Sequence, residues 1–368
     1  MIPNFTESFN ISDYDDPGMN ATNNVTERFY NYPTAVYNTL LLSTGCIGNT
    51  LVLIVYGLRL KASSFNTFIV FLAMMDLICC AIEMPLDVLN MTYSEMIYGC
   101  KAIVSIATTT ATATGLTLVA IAALRYRGIC HPLKPNISIK QARIIVFCSF
   151  IFALCTSWPS AVIVTEQIEP LMFEDDVFYV VNCAPENRFK DTLYPVIYNG
   201  ILFLIFISAF SSIVILYLII ARSLWLRKKH GISSHNKKQG STGSNNILLT
   251  SKSGSSNNDS VNSSKSETSP NKTAHKSTEN KRQKLKGQGM FKMLFIVTLV
   301  FLLSYLPHLS LMVTELVAGK FKLTKVTESL VGIFIRSYLI NSACNPIIYG
   351  CYSKKFRTEI MSLFKKTK

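Results

Sequence analysis

The chain has 368 residues, of which 49% are hydrophobic and only 16% charged, and its mean hydropathy is +0.31. That balance excludes an ordinary soluble domain. The excess of 36 Lys and Arg over 22 Asp and Glu, a net charge of +14, does not point to nucleic acid, because the basic residues lie in loops between apolar spans and mark the cytoplasmic side of a polytopic membrane protein.

Residues 1–33 form a polar tail in which Glu7, Asp13, Asp15, Asp16 and Glu27 face the single base Arg28, without the apolar core of a cleavable signal. Asn-x-Ser/Thr acceptors stand at Asn4, Asn10, Asn20 and Asn24, which predicts a glycosylated extracellular tail. Seven apolar segments follow, over 34–58, 66–90, 98–123, 143–165, 193–221, 290–317 and 328–351, each long enough to span. Arg59 and Lys61 follow the first. Arg125, Arg127, Lys134 and Lys140 follow the third, Arg222, Arg227, Lys228 and Lys229 the fifth, and Lys354, Lys355 and Arg357 the seventh, whereas Glu166, Glu169, Glu174, Asp175, Asp176, Glu186 and Asp191 crowd the connection after the fourth. The N-terminus is therefore expected outside and the C-terminus inside.

The third segment, Cys100 to Arg125, is the centre of the arrangement. Its twenty-five steps make a helix of roughly 37 Å. The run Thr108-Thr109-Thr110-Ala111-Thr112-Ala113-Thr114-Gly115 has so little bulk that neighbours can approach it on all sides. Residues 34–226 thus hold helices one to five and 290–351 helices six and seven. Between them, 227–289 is a Ser/Asn/Lys/Gly-rich insert that cannot bury enough apolar surface to fold; it reads either as a phosphorylatable loop or as a spacer. In 352–368, Phe356, Ile360 and Phe364 recur every four residues with lysines between, which predicts a short amphipathic helix on the membrane surface.

Cys46, Cys79, Cys80, Cys148, Cys155 and Cys344 lie inside apolar spans, where cysteine acts as a small hydrophobe. Cys100 and Cys183 fall at extracellular positions and are expected to pair in that oxidising compartment. Asp76 lies deep in an apolar span, where a charge is costly without a partner, and Asn49, Thr114, Asn341, Ser342 and Asn345 could join it in an oxygen-rich interior; a purely structural polar network is the other reading. Pro307 and Pro346 each remove a helix hydrogen bond and allow a kink. No nucleophile, base and orienter stand together, so catalysis is not expected.

Asn345-Pro346-Ile347-Ile348-Tyr349, followed by Phe356, together with Gly48-Asn49, Leu72-Ala73-Met74-Met75-Asp76, Trp158, Tyr217 and the Cys100–Cys183 pair, resembles the landmarks of the rhodopsin-like (class A) G protein-coupled receptors. The resemblance covers nearly the whole chain outside the tail and the insert. It implies an all-α, seven-transmembrane-helix bundle and an activation switch of Arg125, Tyr126, Tyr217, Tyr305, Pro307, Asn345, Pro346 and Tyr349. It also implies a sodium ion on the Asp76 cluster, with no other cofactor, and a ligand pocket lined by Glu83, Asp87, Ala107, Thr108, His308, Met312, Ile335, Arg336 and Tyr338.

Four departures matter. Leu124 replaces the acid before Arg125, Tyr305 stands where the family carries tryptophan, Ala209 replaces a mid-membrane proline, and Leu339 stands where opsins carry the retinal-linking lysine, which rules out a Schiff base. Ala107 occupies the position of the amine receptors' aspartate. An aspartate at 124 would add an ion pair to the closed form, so Leu124→Asp is expected to lower basal signalling. Asp76, Glu83 and Asp87, spaced by seven and four, share one face of the second helix, and Arg336 lies at matching depth on the seventh. Because those helices are neighbours in the family, Arg336 is expected to pair with Glu83 or Asp87 and leave an acid for a basic group of the ligand.

The reading is a plasma-membrane receptor for an extracellular ligand, expected to be a peptide, that activates a heterotrimeric G protein and meets arrestin, receptor kinases and membrane lipids. A small-molecule or lipid ligand, constitutive activity and failure to couple stay open. A transporter or channel would call for internal repeats and broken helices.

Overall fold

The computed structural model describes residues 32–92, 99–131, 133, 135, 137–173, 176–239, 292–314 and 325–365. Within these residues six helices are long and apolar enough to cross a membrane: α1 (Tyr32–Arg59), α2 (Ser64–Met91), α3 (Cys100–Cys130), α4 (Ile139–Ile163), α5 (Tyr194–Arg227) and α6 (Lys292–Thr314). In lipid, backbone polar groups must be satisfied within the segment, so apolar runs of this length can only be helices. The seventh segment, expected as one span over 328–351, is instead α7 in two pieces, Lys325–Ile335 and Leu339–Tyr352. A last helix, α8, covers Lys354–Lys365. The sequon-bearing Asn4, Asn10, Asn20 and Asn24, and the insert from 240 onward, lie outside the described residues. Helix continues past the apolar part of α5 as far as Gln239, beyond the boundary expected at 221.

The break in α7 has a local cause. Residues 336–341 switch from i−4 to i−3 hydrogen bonds, with the Leu339 N–H on the Arg336 carbonyl and the Asn341 N–H on the Tyr338 carbonyl. This tighter turn frees the Ile335 carbonyl, which His308 Nδ1 of α6 takes at 2.6 Å, so that nitrogen carries the hydrogen. Further in, Pro346 has no N–H for the Ser342 carbonyl. Asn49 Nδ2 of α1 donates to that carbonyl at 2.8 Å and to Gly45 O at 3.0 Å. This bond requires α1 to lie against α7, and glycine permits it: a Cβ at Gly48 would sit 2.6 Å from the Pro346 ring.

α2 is not regular either. Residues Cys79–Glu83 form a π turn closed by the Met84 N–H on the Cys79 carbonyl, directly before Pro85, whose ring cannot accommodate an ordinary preceding turn. The even helix assumed in placing Asp76, Glu83 and Asp87 on one face is therefore absent, although Asp76 and Glu83 both still meet α7.

An addition to the all-α expectation is a hairpin between α4 and α5: β1 (Val164–Phe173) runs antiparallel to β2 (Asp176–Pro185), with Glu166 opposite Cys183. The Cys100–Cys183 disulfide ties β2 to the start of α3. Glu166 Oε1 accepts the backbone N–H groups of Gly99 and Cys100, both at 3.0 Å, and so caps α3 from outside its own helix. Partial burial alone would raise the Glu166 carboxyl, but these bonds and the one from Thr165 outweigh it and hold it below the ordinary glutamate value. A depressed carboxyl contributes its stability above the unfolded value of about 4.5 and loses it as pH falls through the lowered folded value. Glu166→Gln should therefore destabilise the purified protein at neutral pH by about 1 kcal/mol or less, since the carboxylate keeps water contact; this is read as a lower melting point, and the gap to wild type should close below pH 4.5. A gap that persists in acid would show that the charge is not the cause.

α8 departs from a helix resting wholly on lipid. Phe356 is buried, stacked on Tyr56 of α1 at 5.7 Å and edge-on to Tyr349 at 6.4 Å. Arg59 Nη1 meets Ser362 Oγ at 2.6 Å and Glu359 at 3.3 Å. The side chain of Phe364, on which the surface-helix reading also relied, is outside the described residues.

Candidate functional site

The outer half of the bundle holds an ionic layer between α1, α2 and α7. Arg336 reaches Asp87 with both ends of its fork, Nε to Oδ2 at 2.6 Å and Nη2 to Oδ1 at 2.9 Å. Asn38 Nδ2 of α1 adds a third bond to Asp87 Oδ2 at 2.7 Å. Of the two acids within reach by depth, Arg336 thus selects Asp87; their side chains keep 24% and 17% of their surface exposed. Glu83, one turn deeper, is 1% exposed. Its Oε1 accepts the Tyr338 hydroxyl at 2.8 Å, and its Oε2 is buried with no hydrogen-bond partner among the described residues. Glu83 thus has neutral donors and no cation beside it at membrane depth, where an ionised acid is costly without one.

Tyr338 also faces inward. Its ring lies 5.1 Å from His308 and 5.8 Å from Tyr305, and Tyr305 continues to Phe301 at 4.8 Å and Phe206 at 5.3 Å. Aromatic rings therefore run from the ionic layer down α6 to mid-membrane, where Phe301 closes on Gly115 of α3. The structure brings Glu83, Asp87, His308, Ile335, Arg336 and Tyr338 together. Met312 is exposed, and the Thr108 hydroxyl bonds back to the Val104 carbonyl on its own helix. Asn38 escaped the sequence reading; an asparagine inside an apolar span was the available signal.

Below the aromatic run lies the second polar cluster. Asp76, 1% exposed, accepts from Asn345 Nδ2 at 2.7 Å, and Asn49 reaches the adjoining Ser342 carbonyl. Thr114 and Asn341 are buried too, and the side-chain oxygens of Asn49, Asn341 and Asn345 are buried without hydrogen-bond partners among the described residues. A carboxylate with spare carboxamide oxygens is the donor chemistry of a hard monovalent cation, so these residues fit sodium.

At the inner end, Tyr349 is buried with its ring 6.0 Å from Tyr56, Tyr217 reaches Thr298 of α6 at 3.3 Å, and Tyr126 lies edge-on to His131 at 5.4 Å. Arg125 makes no ion pair among the described residues, and its guanidinium stands over the Phe65 ring, 5.5 Å from the centroid.

The profile of the 7 transmembrane receptor (rhodopsin family) matches residues 48–349. The chain is similar to the neuropeptide FF receptor 2 of Rattus norvegicus, 26% identical over 340 residues covering 87% of this chain and 69% of that receptor. It is also similar to the QRFP-like peptide receptor of Branchiostoma floridae, 23% identical over 342 residues, 90% of this chain and 77% of the other. With a match across most of its length, six described helices long and apolar enough to span, a seventh in two pieces, and the disulfide from α3 to the outer hairpin, the chain belongs to the rhodopsin family of seven-transmembrane receptors.

Proposed function

We propose that this chain is a plasma-membrane receptor, N-terminus outside, that binds an extracellular peptide carrying a basic side chain and activates a heterotrimeric G protein. The observation that carries the ligand class is the acid excess of the outer layer: one arginine, already bound to Asp87, against two acids, with Glu83 half satisfied. A ligand guanidinium or ammonium entering there completes Glu83 and competes with Arg336 for Asp87. Because Tyr338 holds Glu83 and also begins the aromatic run to Phe301, such entry has a route to the interior. The similarity to two receptors named for peptides supports the same class. Sodium on the Asp76 cluster would supply a positive charge that a closed interior holds and an open one releases, while Asp76, Asn49 and Asn345 position it. Arrestin, receptor kinases and inner-leaflet lipids belong to the same proposal as partners of the cytoplasmic face.

A screen of secreted peptides against cells expressing the chain, read as nucleotide exchange on a G protein, tests this. Active peptides should carry Lys or Arg and lose about ten- to a hundred-fold in potency on Glu83→Gln, the size of one charge-assisted contact. Activation only by acidic or apolar ligands, or ligand-driven flux without exchange, would replace the reading.

A further inference from the structure

At the inner mouth of the bundle, Arg125 presents a cation between helices with no acid beside it: Leu124 precedes it, and no ion pair reaches it among the described residues. A half-buried guanidinium that has lost water needs some other partner, and the face of an aromatic ring is one. Phe65 supplies it at 5.5 Å.

Phe65 is placed for this by its surroundings. It lies in the first turn of α2, where Ser63 accepts the Asn66 N–H and caps the helix. The adjacent Ser64 Oγ donates to the Ile137 carbonyl at 2.7 Å, just before the Ser138–Gln141 capping box that starts α4. The ring thus sits on a helix end fixed from both sides, which makes it a firm platform. At the same end of the bundle Tyr217 of α5 bonds Thr298 of α6. Arg125 of α3 thus rests on a ring of α2, at the end of the bundle where α5 and α6 are joined.

We propose that Phe65 is the positioning residue that holds Arg125 in the closed form, an aromatic latch in place of an acidic one, and that its release frees Arg125 for the cytoplasmic partner. The proposal rests on the G protein reading above for the identity of that partner only. A contact made in one state and lost in the other shifts their ratio by its own strength. The strength of a cation–π contact corresponds to a shift of about two- to thirty-fold.

The test uses the full-length receptor in lipid nanodiscs without ligand. Phe65→Leu should raise basal nucleotide exchange on a purified heterotrimer by about two- to thirty-fold and speed amide hydrogen exchange at the inner end of α6, around Met293 to Val297. Phe65→Trp, with a better cation-binding face, should leave both at or below wild type. Adding Leu124→Asp to Phe65→Leu should return both toward wild type, because an acid then does the ring's work. Hydrogen exchange in α6 needs no G protein, so faster exchange there without nucleotide turnover would uphold the latch and sink the coupling proposal. Unchanged hydrogen exchange in Phe65→Leu would overturn the latch, as would Phe65→Trp opening α6 as much as Phe65→Leu, which would mean bulk and not charge is sensed.

Discussion

Cys183→Ala is expected to remove most of the receptor from the cell surface. The Cys100–Cys183 bond closes a loop with a sequence separation of 83, for which the chain-entropy argument gives about 4.5 kcal/mol. It also holds the register of the outer hairpin, because Cys183 stands opposite Glu166, whose carboxylate caps α3. Cutting the disulfide releases β2, and the capping carboxylate on β1 then loses its fixed position, so two restraints on the N-terminus of α3 weaken together. Antibody labelling of intact cells and permeabilised cells measures the effect, and Cys100→Ala should match it, with the double variant no worse than either single. Normal surface levels and ligand response of Cys183→Ala would show that the hairpin is held by other contacts.

Arg336→Ala should be the most damaging single change in the outer layer. It strands Asp87, with only Asn38 among the described residues left to bond it, and removing one partner of such a pair costs about 3 kcal/mol, the partial exposure of both groups placing it at the low end of the range. Asp87→Asn added to Arg336→Ala removes the stranded charge and should restore part of the loss, so the two changes are non-additive. Arg336→Lys should fall between, since an ammonium cannot reproduce the two-point contact. Thermal unfolding of solubilised receptor reads stability, and ligand potency reads the pocket. Additive losses, or none, would mean that the pair contributes nothing to the folded state.

The membrane class, the number of apolar segments and the placing of Cys100 and Cys183 in one compartment were legible because each rests on composition over a long window or on a physical boundary. The outer ion pair was legible only as a choice. Matching depths along two helices brought Arg336 level with both Glu83 and Asp87, but rotation about each axis decides between them, and that rotation depends on the π turn before Pro85 and the tight turn at Arg336–Tyr338. The same limit hid Asn38, whose partner lies 49 residues away. Periodicity placed Phe356 on an apolar stripe, yet a stripe does not say whether it meets lipid or protein; Tyr56 and Tyr349 settle that by closing on the ring.

Hydropathy and charge alone dictate where this chain crosses the membrane, since hydrocarbon leaves the backbone no alternative to a helix and excludes unpaired charge. Which side chains meet inside is dictated only by tertiary packing. The carbonyl that Pro346 leaves open is filled by Asn49 from the far end of the sequence, Glu83 is left half satisfied because Asp87 takes the arginine, and Arg125 finds a ring where its neighbour offers no acid. Each outcome depends on shifts of an ångström or two and on the rotation of irregular helices about their axes, and neither is encoded by the spacing of residues along one helix.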